Sequence, residues 1–111
     1  TNEIYKSWSG MSASEYKTFK GIRKESLRDN MTDVEVALTD LGEVATRELV
    51  REHKPFGLAE NKKIARRGGN IASVAKENLE RELGRSVLSS NNALNYRYLD
   101  ENLLEVSDTN E

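Results

Sequence analysis

The sequence lacks several residue types on which many functional sites depend. Its 111 residues include no Cys, one Pro, one His and few aromatics. Without Cys there is no disulfide framework, no thiol nucleophile and no Cys-ligated metal site. The single His53 excludes His-rich metal sites and His–His acid/base pairs. No apolar run approaches the roughly 18 residues of a membrane span, and no signal segment opens the sequence, so we expect a cytoplasmic protein.

Neither sign of charge dominates, but the charges are unevenly distributed along the chain. The formal net charge is −2, from 17 basic and 19 acidic residues. Residues 6–28 hold six basic and two acidic side chains, and residues 29–53 hold two basic and seven acidic. Residues 54–85 then hold eight basic and four acidic. Such alternating blocks predict attraction between segments, within one molecule or across a dimer, although solvated helix faces would give the same pattern.

Alternating runs of β-branched or aromatic residues are also missing, whereas helical spacing recurs along the chain. We therefore predict an all-α fold, a small bundle of about four to six helices. Short N- and C-terminal helices would surround two longer ones. A single helical domain would cover residues 1–99, and the acidic residues 100–111 would form a disordered tail.

The first helical segment is marked by a capping box, in which Ser12 and Glu15 each satisfy a backbone N–H of the first turn. This pattern predicts a short helix over about 13–20, followed by a turn or helix over about 22–28. Four aromatics are expected to form one corner of the core: Tyr5, Trp8, Tyr16 and Phe19.

The second segment has the clearest helical pattern. Thr32 and Glu35 form another capping box, and Lys54-Pro55 ends the helix. One predicted core-facing stripe contains Val34, Ala37, Leu38, Leu41, Val44, Ala45 and Leu49. Val36 and Val50 lie opposite this stripe, where they would contact a partner chain or remain as isolated exposed valines.

The third segment runs from Leu58 to Leu83 and is interrupted by Gly68-Gly69. Two glycines cost about 2 kcal/mol relative to Ala inside a helix, so we expect a break there, with Asn70 capping a second helix. The alternative is a continuous helix that uses the glycines for close packing. Gly84 is a suitable C-cap. Beyond it, a short helix through Tyr98 would be capped by Ser90, Asn91 or Asn92.

The same segment carries the densest basic patch: Lys62, Lys63, Arg66, Arg67 and Lys76. Like charges four residues apart repel unless a negative group lies nearby. That group would be the acidic helix over 33–52, in the same or another subunit, or a nucleic-acid backbone. Because no aromatics are interleaved with the patch and the chain is acidic overall, we favour pairing with protein.

Several stretches resemble one family of bacterial and prophage proteins. Residues 8–32 read WSGMSASEYKTFKGIRKESLRDNMT, residues 60–72 ENKKIARRGGNIA, residues 83–88 LGRSVL and residues 90–93 SNNA. Together they resemble the C-terminal region of phage antirepressor-like proteins with a Bro-type N-terminal domain, relatives of DNA-damage-inducible protein D. The resemblance covers about residues 5–95. It implies a bacterial regulatory protein of prophages or the DNA-damage response, of which this chain is an excised C-terminal domain.

We therefore expect a domain that works by protein contact, as a homodimer or with another protein, and not an enzyme. No catalytic residue, metal, cofactor, small-molecule substrate or membrane is predicted, and nucleic acid would be bound by the rest of the full-length protein. The predicted contact residues are Val36, Val50, Lys62, Lys63, Arg66 and Arg67. The alternative is a nucleic-acid-binding module that uses the basic patch around 62–76 together with Arg23, Lys24 and Arg28.

Overall fold

The computed structural model describes residues 2–93, and these form helices without any strand. The elements are α1 (Asn2–Ser9), α2 (Ala13–Lys20), a short 3₁₀ helix (Arg28–Asn30), α3 (Asp33–His53) and α4 (Gly57–Leu83). The all-α prediction is confirmed, with two long helices preceded by short ones. The predicted helix through Tyr98 and the tail over 100–111 lie outside the described residues.

Both predicted capping boxes are present and begin their helices. The Ser12 hydroxyl accepts from the Glu15 N–H at 3.2 Å, and the Glu15 carboxylate accepts from the Ser12 N–H at 2.9 Å. Thr32 and Glu35 make the same reciprocal pair, both bonds at 3.1 Å. α2 therefore starts where the sequence predicts, and α3 does so as well. Gly84 ends α4 in the left-handed conformation, as expected for a C-cap glycine.

α3 and α4 form an antiparallel hairpin, and α1 lies in the groove along one of its sides. A Cβ on Gly42 of α3 would meet Ile4 Cγ2 at 2.8 Å and Ala72 Cβ at 3.7 Å. Gly69 of α4 touches α1 as closely, since a Cβ there would lie 3.1 Å from the Ile4 carbonyl oxygen. Glycine at these positions lets three helix backbones approach one another more closely than larger residues permit.

The predicted break at Gly68-Gly69 is wrong, and the alternative of a continuous helix is correct. α4 runs unbroken through both glycines, so Asn70 is an exposed mid-helix residue and not a cap. Both glycines are buried. A Cβ on Gly68 would overlap the Thr46 side chain of α3, so the helix tolerates the low propensity of two glycines in exchange for contact with α1 and α3.

The predicted aromatic corner is confirmed for Tyr5, Trp8 and Tyr16, which are buried in the core, whereas Phe19 lies exposed at its edge. Tyr16 is fully buried, and its ring lies edge-on to Tyr5 at 5.9 Å, to Trp8 at 6.0 Å and to Phe19 at 6.4 Å between centroids. Edge-to-face contacts at these distances are favourable for aromatic rings. They attach α2 to α1, whereas Phe19 keeps part of its ring in solvent.

The predicted core stripe of α3 is wrong for most of its members. The residues that α3 buries are Glu35, Leu38, Thr39 and Gly42. Val34, Ala37, Leu41 and Val44 are exposed instead. The difference arises because α4 and α1 approach α3 at its glycine, and besides Leu38 the residues that α3 buries on that side, Glu35 and Thr39, are polar.

Replacing Gly68 with Ala should lower the free energy of unfolding by about 1 kcal/mol. The new methyl group overlaps Thr46, and this overpacking of about 2 kcal/mol outweighs the gain of about 1 kcal/mol in helix propensity. Chemical unfolding followed by circular dichroism measures the change. The matched control is Asn70→Ala, at an exposed site half a turn away on the same helix, which should change stability by less than about 0.5 kcal/mol. Equal stability of Gly68→Ala and the parent chain would contradict the close approach.

Candidate interaction surface

The side of the α3–α4 hairpin that faces away from α1 carries an unusual amount of apolar surface. On α3, Leu41 is 38% exposed and Val44 is 46% exposed, and Val34 and Ala37 lie in line with them. On α4, Ile71 is 44% exposed and Val74 is 50% exposed. We call these six residues the front face. Contiguous exposed apolar side chains of this kind mark contact sites more often than scattered ones do.

The front-face residues follow the spacing of a helix-packing seam on both helices. On α3 the steps from Val34 to Val44 are three, four and three residues. On α4 the same alternation of three and four connects Arg67, Ile71, Val74, Asn78 and Arg81. This spacing keeps a straight line of side chains on one side of a helix, as in coiled coils and four-helix bundles.

The hairpin also sets which residues of the two seams lie at the same level. Thr46 meets Gly68, Leu49 lines a cleft with Arg67, and Val34 lines another with Leu83. In this antiparallel register Val44 lies level with Ile71, and Leu41 with Val74. One turn and two turns nearer the connection, Glu48 lies level with Arg67, and Glu52 with Lys63.

The acidic residues of α3 do not pair with the basic residues of α4, although the two helices are packed together. Among the described residues, the ion pairs of α3 to other elements go to the first basic block: Lys20 with Glu35, and Arg28 with Asp40 and Glu43. Arg28 is therefore already engaged by two carboxylates of α3 within the chain. The attraction between charge blocks predicted from the sequence is thus partly internal, but it involves residues 6–28 in place of α4.

The predicted basic patch is divided by the structure. Lys62, Lys63, Arg66 and Arg67 are all exposed on α4. Arg66 bonds to Glu3 of α1 at 3.2 Å, whereas Lys62, Lys63 and Arg67 make no ion pair within residues 2–93. Lys76 lies more than two turns further on and pairs with Glu80 at 3.5 Å, so it does not belong to the patch.

The two valines predicted as partner contacts do not lie on the front face. Val36 is half-buried and packs against the hydrophobic core, and Val50 is half-buried as well. Their side of α3 is the one that faces α1 and the 3₁₀ helix. The exposed apolar residues of α3 are those that the sequence pattern assigned to the core.

A fully buried charged pair joins α2 to α3, and the sequence pattern gave no indication of it beyond the Glu35 capping box. The Lys20 ammonium donates to Glu35 Oε1 at 2.6 Å, and neither side chain has solvent exposure. The Tyr16 hydroxyl donates to the other oxygen, Glu35 Oε2. Because the same carboxylate also accepts from the Thr32 N–H at 3.1 Å, its oxygens are satisfied by three residues, two from α2 and the N-cap of α3 itself. Burial on this scale is tolerated only when each charge is paired and hydrogen-bonded.

The segment that comes after α4 closes over this cluster. Lys20 donates to the Asn91 carbonyl oxygen at 2.9 Å, and Asn92 returns a bond to the Lys20 carbonyl oxygen at 3.2 Å. Val87 is buried in the core, and its N–H donates to the Glu80 carboxylate at 3.0 Å. This hydrogen bond lowers the pKa of Glu80 below its usual value of 4.5, and the nearby Lys76 contributes in the same direction.

The described residues offer little material for other kinds of site. No cluster of three or more His, Asp or Glu side chains within residues 2–93 is suited to a metal ion. None of the helices in this part of the chain has the length and apolar character needed to cross a bilayer. The buried Lys20–Glu35 pair is closed off from solvent. The front face and the basic residues beside it are therefore the features that invite a functional interpretation.

Replacing Lys20 with Met should lower the free energy of unfolding by about 3 kcal/mol, because it leaves the Glu35 carboxylate buried without its cation. The double variant Lys20→Met, Glu35→Gln removes both charges and should recover part of the loss. Denaturant unfolding of the three chains measures the coupling. A double variant less stable than Lys20→Met would show that the pair is not the source of the loss.

Glu80 should give the fold an acid-sensitive component. A carboxyl whose pKa is lowered by folding stabilises the native state above its unfolded pKa, and this contribution is lost as the pH falls through the folded value. Glu80→Gln should therefore reduce stability by up to about 1 kcal/mol at pH 7, and the difference should be smaller at about pH 3, where the carboxyl is more protonated. Urea unfolding at both pH values tests this. The exposed, nearby Glu77→Gln should be close to neutral at both, and a Glu80→Gln effect independent of pH would contradict the assignment.

Comparison with known proteins gives no relative from which the role of the front face could be inferred. No protein-family model, curated protein or solved structure matches the chain. The similarity of residues 5–95 to the C-terminal region of phage antirepressor-like proteins stays a prediction from the sequence. The function of the chain must therefore be inferred from the contacts, exposure and charge of the front face.

Proposed function

We propose that the chain is a non-enzymatic protein-interaction domain of a prophage antirepressor-like or DNA-damage-response regulator in the bacterial cytoplasm. The observation that carries the proposal is the front face. Its apolar side chains stand in two seams with helix-packing spacing, on the two longest helices, and the five larger ones are 36–50% exposed. Burying such surface against another protein is favourable at roughly 25 cal/mol per Å².

The chemistry of the polar groups supports contact in preference to catalysis. The most strongly buried ionisable residues, Lys20 and Glu35, neutralise each other inside the core. The Glu80 carboxylate holds the segment after α4 in place. An acid/base site requires groups that can reach a substrate, and these groups have protein partners instead.

The resemblance to phage antirepressor-like proteins gives the interaction its biological setting. In proteins with a Bro-type N-terminal domain, that domain is the presumed DNA-binding part. A C-terminal domain that binds protein would then control the assembly or activity of the DNA-binding part. This role needs a stable contact surface but no catalytic group.

A nucleic-acid-binding module is the second candidate, and one observation favours it. Lys62, Lys63 and Arg67 are exposed and have no ion-pair partner among the described residues, and Arg23 and Lys24 are also exposed. Phosphate contacts require cations of this kind. Two of the predicted members are engaged elsewhere, since Arg28 pairs with Asp40 and Lys76 with Glu80. The remaining cations lie beside an apolar seam, which suits a protein partner better than a phosphate backbone.

A capture experiment tests the contact function. A photoreactive amino acid at Val44 should crosslink the chain to a protein in bacterial cells, either another copy or a different protein. Leu41→Lys should lower the yield at least tenfold, because an ammonium would be buried in the contact. Leu58→Lys places the same charge on another exposed leucine, outside the front face, and should leave the yield unchanged.

A mobility-shift assay separates the two candidates. We expect the purified chain to leave duplex DNA unshifted at 50 mM salt. A shift that weakens steeply with salt and disappears in Lys62→Glu, Lys63→Glu would favour the nucleic-acid module. An unchanged crosslinking yield in Leu41→Lys would contradict the front face as a contact surface.

A further inference from the structure

We propose that the front face is a two-fold interface between two copies of this chain, with α3 of each copy lying on α4 of the other. The proposal rests on the proposed function and names its partner. The two-fold axis is parallel to α3 and α4 and lies between the front faces of the two copies. The resulting dimer is a four-helix bundle of two stacked α3–α4 pairs, and one α1 helix lies on each of its two outer sides.

The register of the hairpin makes the front face complementary to itself. In this arrangement each α3 residue meets the α4 residue that lies level with it in its own chain. Leu41 then faces Val74 of the other copy, and Val44 faces Ile71. Apolar side chains in three–four spacing meet apolar side chains in the same spacing, which is the condition for knobs-into-holes packing.

The charged residues of the two seams are complementary as well. Glu48 faces Arg67 of the other copy, and Glu52 faces Lys63. Arg67 and Lys63 have no ion-pair partner within residues 2–93. Glu48 bonds to Arg51 of its own helix at 2.8 Å, and because this pair is exposed, the carboxylate can also be shared with Arg67 of the second copy. The helices differ in sign as wholes, since α3 has six acidic and two basic residues and α4 has six basic and four acidic. Opposite potentials across an interface favour the correct orientation.

The other two-fold arrangement is disfavoured by the same residues. If the axis crossed the hairpin, α4 would lie antiparallel on α4 of the other copy, and a contact centred on Val74 would bring Arg67 against Arg81. Likewise α3 would meet α3, with Glu48 against Val34. The like charges oppose this packing, whereas the proposed arrangement sets each of these arginines against a residue that is not basic.

We identify the partner as a second copy because the front face carries both members of each complementary pair, one on α3 and one on α4. A two-fold interface needs a patch in which each group has its complement elsewhere in the same patch. The two central apolar pairs and the two charge pairs towards the connection meet that requirement, whereas Val34 and Ala37 face Arg81 and Asn78 at the far end of the seams. An unlike partner would require no such correspondence within a single chain.

The oligomeric state tests the interface directly. We expect the chain to be a dimer in sedimentation equilibrium at micromolar concentrations. Leu41→Lys should raise the dimer dissociation constant at least tenfold, and Leu58→Lys should change it less than twofold. Circular dichroism confirms that both variants stay helical. Because Leu41 is 38% exposed and lies outside the buried core, a lysine there can extend its ammonium into solvent in the monomer.

A charge exchange tests the orientation. Glu48→Arg and Arg67→Glu should each weaken self-association severalfold. An equimolar mixture of the two should form a heterodimer, because both cross-chain pairs are again of opposite sign. As the chain has no Cys, a disulfide between Leu41→Cys and Val74→Cys chains should also form on mixing, faster than either homodisulfide.

Three outcomes would overturn the proposal. A monomer that still requires Leu41 to crosslink a different protein would exclude the homodimer and leave the proposed function intact. A monomer with no crosslinking dependent on Leu41 would exclude both. A dimer insensitive to Leu41→Lys, or one that forms the Leu41→Cys homodisulfide in preference, would place the interface elsewhere or in the other orientation.

Discussion

The close approach of three helices at glycine is the constraint on which the rest of the structure depends. Gly42, Gly68 and Gly69 bring α1, α3 and α4 together where a Cβ would collide with the neighbouring element. This contact fixes the register of the hairpin, and the register decides which residues are buried and which lie level with each other. It also determines that α1 covers one side of the hairpin only. The apolar front face is therefore a direct consequence of where the glycines lie.

The local signals in the sequence predicted the beginnings and ends of helices well. The Ser12–Glu15 and Thr32–Glu35 boxes and Gly84 act through bonds between near neighbours, so no knowledge of tertiary contacts is needed to interpret them. The all-α class follows from the same short-range patterns. The effect of Gly68-Gly69 on α4 was harder to predict. The low helix propensity of glycine is a local property, whereas its packing advantage depends on Thr46 and Ser7 in other helices.

The burial pattern of α3 could not be predicted by the usual assumption that apolar residues face inward. α3 buries Glu35 and Thr39 because Lys20 and Tyr16 provide partners for the carboxylate and because the Thr39 hydroxyl bonds to the Glu35 carbonyl oxygen at 3.0 Å. The residues that pair with the carboxylate are 15 or more positions away, and the pairing leaves no periodic signal. The same reversal placed Val36 on the core side and left Leu41 and Val44 exposed. The sequence pattern thus identified the apolar stripe of α3, but it predicted that this stripe faces the core, whereas most of it is exposed.

The bond from Lys20 to the Asn91 carbonyl connects residues 71 positions apart. A chain emerging from the ribosome can form α1, α2 and the α3 capping box long before residue 91 is synthesised. Until then the Lys20 ammonium lacks that acceptor, and the cluster stays accessible to water. Vectorial synthesis thus delays the final desolvation of the core until the segment after α4 has left the ribosome, so α1, α2 and α3 cannot complete their core before residue 91 emerges.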